Sequence, residues 1–256
     1  MCTIAFLVGV STDAPLVIAA NRDELYARPT RPPERLGNHL AGGVDVLSGG
    51  TWLAVRGDGR FAAVTNQRVL APPAAGLRSR GLVVKELAAA TDPIAYVNDI
   101  DPTRYASMNL AWGDVNGVSI AYARNEGAME IVSLPTGVHV LCNDKLGAAG
   151  FPRGERLTAT ITDILASSPP LSALLDALGY ALADHQRVPL EAVPPSHLPP
   201  ELARELTAGC IHSEHYGTRS ATLFAAGPSG ALAYRHSDGP PCTAPFVDRM
   251  ALLEAA

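Results

Sequence analysis

Lysine is nearly missing from this chain: Lys85 and Lys145 are the two present, and the scattered arginines form no basic run. With a formal net charge of −5, the sequence lacks the cationic footprint of a protein that binds nucleic acid or an anionic membrane surface. Cysteine is scarce as well. Cys2, Cys142, Cys210 and Cys242 lie far apart without paired ligand spacing, which predicts neither a zinc site nor a small disulfide scaffold. No metal and no cofactor is expected, and a reducing compartment, the cytoplasm, fits best. No apolar run approaches the roughly 20 residues that a membrane-spanning helix needs. The first ten residues are apolar but have no positive segment before them, and Ser11, Thr12 and Asp13 follow at once; they read as a strand and not as a secretion signal. There is no phosphate-binding P-loop, and the glycines of GGVDVLSGGTW have the wrong spacing for a dinucleotide fingerprint.

What is present is a regular succession of elements. Apolar runs at 3–10 and 16–20 flank the turn-forming STDAP and read as paired strands. A second hairpin joins 51–56 to 60–65 through Gly57, Asp58 and Gly59, where glycine permits positive φ. Residues 82–90 read as a helix, and Asp92 caps another that starts at Pro93. MNLAWG, GVSIAYA, MEIVSL and VHVLCN form a meander. Two further helices follow, one from Pro152 with Leu157, Ile161 and Leu165 on one face, one in LSALLDALGYALAD. The proline-rich stretch 187–200 reads as a surface loop, and strands at 218–226 and 231–236 close the chain. Blocks of strands alternating with blocks of helices predict an α+β fold with mostly antiparallel sheets, two of them packed together and covered on both outer faces: a four-layer α/β/β/α sandwich. One domain over 1–256 is expected, with ample apolar content for its core.

The candidate chemistry begins at Cys2. A cysteine freed by removal of Met1 would carry a nucleophilic thiol and, on the same residue, an amine able to act as its base; the competing reading is a small residue that starts a strand. In ANRDEL, continued extended geometry points Asn21 and Asp23 to one face and Arg22 and Glu24 to the other. A turn would instead let Arg22 and Asp23 face Cys2 together, the arginine lowering the thiol pKa and the aspartate orienting the amine. Asn66 and Asn143 each end a strand, where an amide can stabilise a developing oxyanion or terminate a turn. Arg219 could hold an acidic substrate group through its planar fork, with Thr218, Ser220 and Thr222 alongside, or pair with a structural carboxylate. His212 and His215 share a face only in a helix and match no carboxylate–histidine zinc signature. His139 reads as structural, and Trp52 and Trp112 as core.

Together MCTIAF, ANRDE, GGTWLAV, TNQR, GVHVLCN and YGTRSAT resemble the NRDE-motif proteins, the transport and Golgi organisation protein 2 family, in the family's order from residue 2 to about residue 226. The resemblance implies an N-terminal nucleophile hydrolase-like fold, whose relatives, the choloylglycine hydrolase and penicillin V acylase group, cleave non-peptide carbon–nitrogen bonds with a processed N-terminal cysteine. Carried over, it makes Cys2 the nucleophile and Asn66, Asn143 and Arg219 its oxyanion, amine-binding and late-strand partners. The acylases separate the early Arg and Asp by two residues, so either Arg22 and Asp23 or Asn21 and Glu24 take those places. The assignment adopted is Arg22 and Asp23 in catalysis, with Asn21, Glu24 and Ser220 binding substrate. The function it implies is a cysteine hydrolase or acyltransferase acting on a small-molecule amide or acyl substrate. The alternative is a non-enzymatic carrier of haem, acyl-CoA or another lipid-like ligand.

Overall fold

The computed structural model describes residues 2–68, 75–196 and 198–255; Met1, and with it the question of its removal, lies outside them, as does residue 197 of the proline-rich stretch. In chain order the strands and α-helices are β1 (Cys2–Val8), β2 (Leu16–Leu25), β3 (Thr30–Gly37), β4 (Leu40–Asp45), β5 (Leu53–Arg56), β6 (Phe61–Asn66), α1 (Arg80–Ala89) and α2 (Pro93–Asn98). Then come β7 (Met108–Asp114), β8 (Gly117–Ala123), β9 (Met129–Ser133), β10 (Gly137–Leu141), α3 (Pro152–Ala166) and α4 (Leu171–Leu182). The chain continues with α5 (Pro200–Glu205), β11 (Tyr216–Gly227), β12 (Gly230–Ser237) and β13 (Val247–Asp248).

Two antiparallel sheets result. One has six strands in the order β10-β1-β2-β11-β12-β13, the other seven in the order β3-β4-β5-β6-β7-β8-β9. Alternation decides what each face buries. From the six-stranded sheet, Ile4, Phe6, Ile18, Ala20 and Phe224 meet Leu53, Val55, Phe61, Ala63 and Ile120 of the other in the inter-sheet core. The intervening residues, among them Leu7, Val17, Ala19 and Leu223, face Leu157 and Ile161 of α3 and Leu174 and Leu178 of α4. On the far side, Val83, Val84 and Leu87 of α1 and Val97 of α2 pack on Ala62, Leu110 and Trp112. The layer order is therefore α/β/β/α, and the fold is α+β as expected.

Several differences have clear physical causes. The strands β3 and β4 went unread because Pro32 and Pro33 interrupt the apolar pattern. However, β3 is the sheet's outer strand, and its pairing with β4 shifts register between Arg31 and Glu34, an edge irregularity of the kind that accommodates proline. Strand β2 runs on through Asn21–Glu24 to Leu25, which settles the open choice in favour of extended geometry. Asp92 does cap α2, its Oδ1 accepting from the amides of Ile94 and Ala95. The short helix α5 lies at the end of the stretch read as a loop. No helix among the described residues is long and apolar enough to cross a membrane.

Candidate active site

Cys2 and Arg22 are cross-strand partners in the β1–β2 ladder, and Ser220 of β11 lies across from Arg22 on its other side. By alternation Cys2 continues the inward-facing row of Phe6 and Ile4, and Arg22 that of Ile18 and Ala20. At this end of the sandwich the inter-sheet layer changes from apolar to polar. The result is a cavity of about 430 Å³, to which the six-stranded sheet contributes Cys2, Arg22, Asp23, Glu24, Ser220 and His236. The opposite sheet supplies Val44, Val64 and Asn66, the β4–β5 loop supplies Thr51 and Trp52, and the segment opening α1 supplies Arg80.

A chain of buried polar groups backs Cys2. Asp23 is almost inaccessible, at 1% exposure, a position a carboxylate holds only with partners. Thr218 Oγ1 donates to its Oδ1 at 2.8 Å, and Arg153 Nη1 lies 3.6 Å from its Oδ2. Tyr216 Oη donates to its backbone carbonyl at 3.0 Å. Arg153 also donates through Nη2 to Asn143 Oδ1 at 2.7 Å, and Asn143 Nδ2 donates to the carbonyl of Asn66 at 2.9 Å. The network thus runs from β2 through α3 to the ends of β10 and β6.

The electrostatics follow from burial. Burial pushes the Cys2 thiol up, Asp23 pushes the same way, and Arg22 opposes them. Burial likewise raises the Asp23 carboxyl against the pull of Arg153, the Thr218 hydroxyl and Arg22. Burial lowers Arg80, which nonetheless stays in the cavity wall with Nη1 donating to the Ser107 carbonyl at 3.1 Å. His236 is pushed down to about 4 by burial and by Arg249, and its Nδ1 lies 3.0 Å from Thr222 Oγ1. It is neutral at pH 7.

The sequence-derived residues divide into three groups. Cys2, Arg22, Asp23, Glu24, Asn66 and Ser220 all reach the cavity wall, with Glu24 Oε2 at 3.8 Å from Arg22 Nη2. Arg219 is the extra residue of a bulge, between Thr218 opposite Asp23 and Ser220 opposite Arg22. It stands at the rim with its Nη1 donating to the carbonyls of Leu25 and Tyr26 at 3.2 and 2.6 Å. Asn143 and Asn21 are placed otherwise. Asn143 uses both ends of its amide within the network behind the cavity. Asn21 points to the helical side, its Nδ2 donating to the carbonyls of Leu182 and Gly209 at 2.8 and 3.0 Å, because strand alternation puts it opposite to Arg22.

Arg80, Arg153, Tyr216 and His236 escaped sequence reading. Arg153 did carry a signal: a cation in the first turn of a helix opposes the helix dipole, which requires a compensating partner such as Asp23. Arg80 sits beside glycine in RSRGL and gave none.

Comparison with known proteins identifies a family and a fold. The family model described as transport and Golgi organisation 2 matches residues 1–235. The transport and Golgi organization protein 2 homolog of Homo sapiens is 30% identical over 242 residues, covering 86% of this chain and 84% of that protein. The Bos taurus homolog is 29% identical over 237 residues with the same coverage. Among solved structures, the mutant C2A conjugated bile acid hydrolase from Clostridium perfringens superposes with a TM-score of 0.54 at 10% identity, covering 100% of this chain and 95% of that one. An arginine-to-leucine variant of the same hydrolase gives 0.55 at 11% identity with the same coverage. The shared architecture is the four-layer α/β/β/α sandwich.

Proposed function

The chain belongs to the transport and Golgi organisation 2 family, and from that premise we propose that it is a cysteine N-terminal nucleophile hydrolase or acyltransferase acting on a small linear amide or acyl compound. The observation that carries the reading is the cross-strand pairing of Cys2 with Arg22 at the point where the inter-sheet layer opens into a polar cavity. A residue that merely begins a strand has no need of a buried carboxylate and two arginines behind and beside it.

The reading includes excision of Met1, which frees the α-amino group of Cys2. That amine accepts the thiol proton, a transfer the buried thiol needs because its own pKa is raised. The sulfur then attacks the carbonyl carbon. A carbon–sulfur bond forms, the carbonyl electron pair moves to oxygen, and in this reading the Asn66 amide donates to that oxyanion. Collapse breaks the carbon–nitrogen bond, and the leaving amine takes the proton from the Cys2 ammonium group. A water molecule, deprotonated by the same amine, attacks the thioester carbonyl, and the sulfur departs and recovers its proton. An acceptor other than water gives acyl transfer. Asp23, held by Thr218 and Arg153, fixes the amine end, and Arg22 and Arg80 supply positive potential to the thiolate and to an acidic substrate group. The structural neighbour from Clostridium perfringens is a hydrolase of conjugated bile acids, which supports a small-molecule substrate here.

The carrier reading differs in one measurable respect. Saturable ligand binding that survives Cys2→Ala with no conversion supports a carrier, whereas loss of turnover and of thiol acylation in Cys2→Ala supports the hydrolase. Unchanged turnover in that variant overturns it.

A further inference from the structure

Away from the Cys2 cavity, four side chains from three separate segments converge. They are His185 just beyond α4, Cys210 and His212 in the segment before β11, and Cys242 between β12 and β13, and their ligand atoms all lie within 4.8 Å of one another. All four belong to the described residues, and none lines the cavity at Cys2. We propose that this His185–Cys210–His212–Cys242 cluster is a tetrahedral zinc site that staples the start of β11 to α4 and to the segment after β12.

The distances match the edges of a metal tetrahedron. With zinc–sulfur bonds of about 2.3 Å and zinc–nitrogen bonds of about 2.0–2.1 Å, a tetrahedron has sulfur–sulfur edges of about 3.7 Å and sulfur–nitrogen edges of about 3.5 Å. The Cys210 and Cys242 sulfurs are 3.7 Å apart, and His212 Nε2 lies 3.7 Å from Cys210 Sγ and 3.2 Å from Cys242 Sγ. The His185 and His212 rings are 5.0 Å apart between centroids. Two thiolates and two imidazoles are a donor set suited to zinc.

The surroundings supply a second, independent observation. His185 Nδ1 lies 3.0 Å from the Cys210 carbonyl. A ring held this way donates through Nδ1 and presents Nε2 to the ion, the outer-shell arrangement that fixes the tautomer of metal-bound histidines. The Cys210 amide in turn donates to the Asp184 carbonyl at 2.7 Å, tying the two ligand segments together before any ion binds. The absence of paired cysteine spacing, from which no zinc site was expected, is thus overcome by the fold: only Cys210 and His212 are neighbours in sequence, and tertiary contact brings the other two.

Four protein ligands leave no open position, so the site is structural and not catalytic. Its reach into the active site is short. Ile211, between the two ligands, accepts the Thr218 amide on its carbonyl and donates its own amide to Thr218 Oγ1, both at 2.9 Å. Thr218 holds Asp23.

The test uses the full chain, purified under reducing conditions and assayed for metal by mass spectrometry, then stripped with a chelator and titrated with Co²⁺. The expected result is one zinc per chain and, with cobalt, strong tetrahedral ligand-field bands with thiolate charge transfer. The cobalt signature should vanish in Cys210→Ser/Cys242→Ser. Should that variant not fold, His185→Gln at an exposed ligand should weaken cobalt binding at least about 10-fold while leaving the fold intact. Cys2→Ala should bind metal like the parent. Substoichiometric zinc with octahedral cobalt spectra, metal binding untouched by His185→Gln, or a Cys210–Cys242 disulfide that persists under the reducing purification would each overturn the proposal.

Discussion

At the scale of single residues, the account rests on charges that burial makes expensive. Asp23 and Arg153 are both nearly inaccessible, at 1% and 2% exposure, and removing one takes a buried opposite charge away from the other. Asp23→Asn is expected to destabilise the chain by about 3 kcal/mol in urea unfolding, because Arg153 keeps its charge in a desolvated position. Adding Arg153→Met should restore much of the loss, and strict additivity of the two substitutions would contradict the pairing. His236 makes a pH-dependent prediction. Its folded pKa is about 4 against an ordinary value near 6.5, so the unfolded chain takes up the proton first as pH falls. The associated stability is present above pH 6.5 and is lost as pH drops towards 4. Between pH 7 and pH 4.5 this amounts to about 2 kcal/mol. His236→Asn, which keeps an acceptor or donor for Thr222, should lose that much less stability over the same interval, as read from urea midpoints. Equal acid sensitivity in both proteins would mean that His236 is not held neutral.

At the scale of elements, the site depends on how closely two turns approach each other. Thr51 donates its amide to the Gly81 carbonyl at 3.0 Å, and a Cβ at Gly50 would overlap the Gly81 backbone. Gly50 of GGTW therefore has a steric purpose unrelated to nucleotide binding: it lets the β4–β5 turn meet the start of α1, which carries Arg80 into the cavity wall. Gly50→Ala should cost about 1–3 kcal/mol by forcing the two backbones apart, measured by thermal or urea unfolding, whereas Gly49→Ala, where a Cβ meets nothing within 4 Å but φ is +70°, should pay only the conformational penalty of about 1 kcal/mol. How far the elements were legible in the sequence depended on how local their determinants are. Although β10, read as the meander's fourth strand, crosses to the other sheet and pairs with β1, the β5–β6 hairpin, the first three strands of the meander and the Asp92 cap declared themselves because alternation and capping act within a few residues. The edge strand β3, with its paired prolines, did not. Nor did the bulge at Arg219, which is set by the neighbouring strand's register and turns that arginine to the rim.

At the scale of the whole molecule, the layer order was readable from the succession of strand and helix blocks, since each apolar face must find a partner. The site was readable in part. Cys2, Arg22, Asp23 and Asn66 could be named from motifs at strand ends; the sandwich gathers Cys2, Arg22 and Asn66 at one end of the inter-sheet layer, while alternation turns the Asp23 carboxylate to the other face of β2, towards Arg153 of α3. Arg80 and Arg153 could not, because their partners come from loops and helices that only the tertiary fold brings near. Strand alternation, followed as far as Glu24, already separated Asn21 from Arg22. Asn143 ends a strand as expected, yet its amide serves Arg153 and Asn66, a use that no local pattern announces. The four-ligand cluster is the extreme case, with partners spread from residue 185 to residue 242.

The central claim is that Cys2, freed of Met1, is the nucleophile of this cavity. Intact-protein mass spectrometry before and after exposure to an activated acyl ester, followed by peptide mapping, tests it most directly. The account predicts a parent chain lacking Met1 that gains a single acyl group on Cys2, and a Cys2→Ala chain that gains none. A chain that retains Met1, or acylation that maps elsewhere and persists in Cys2→Ala, would contradict it.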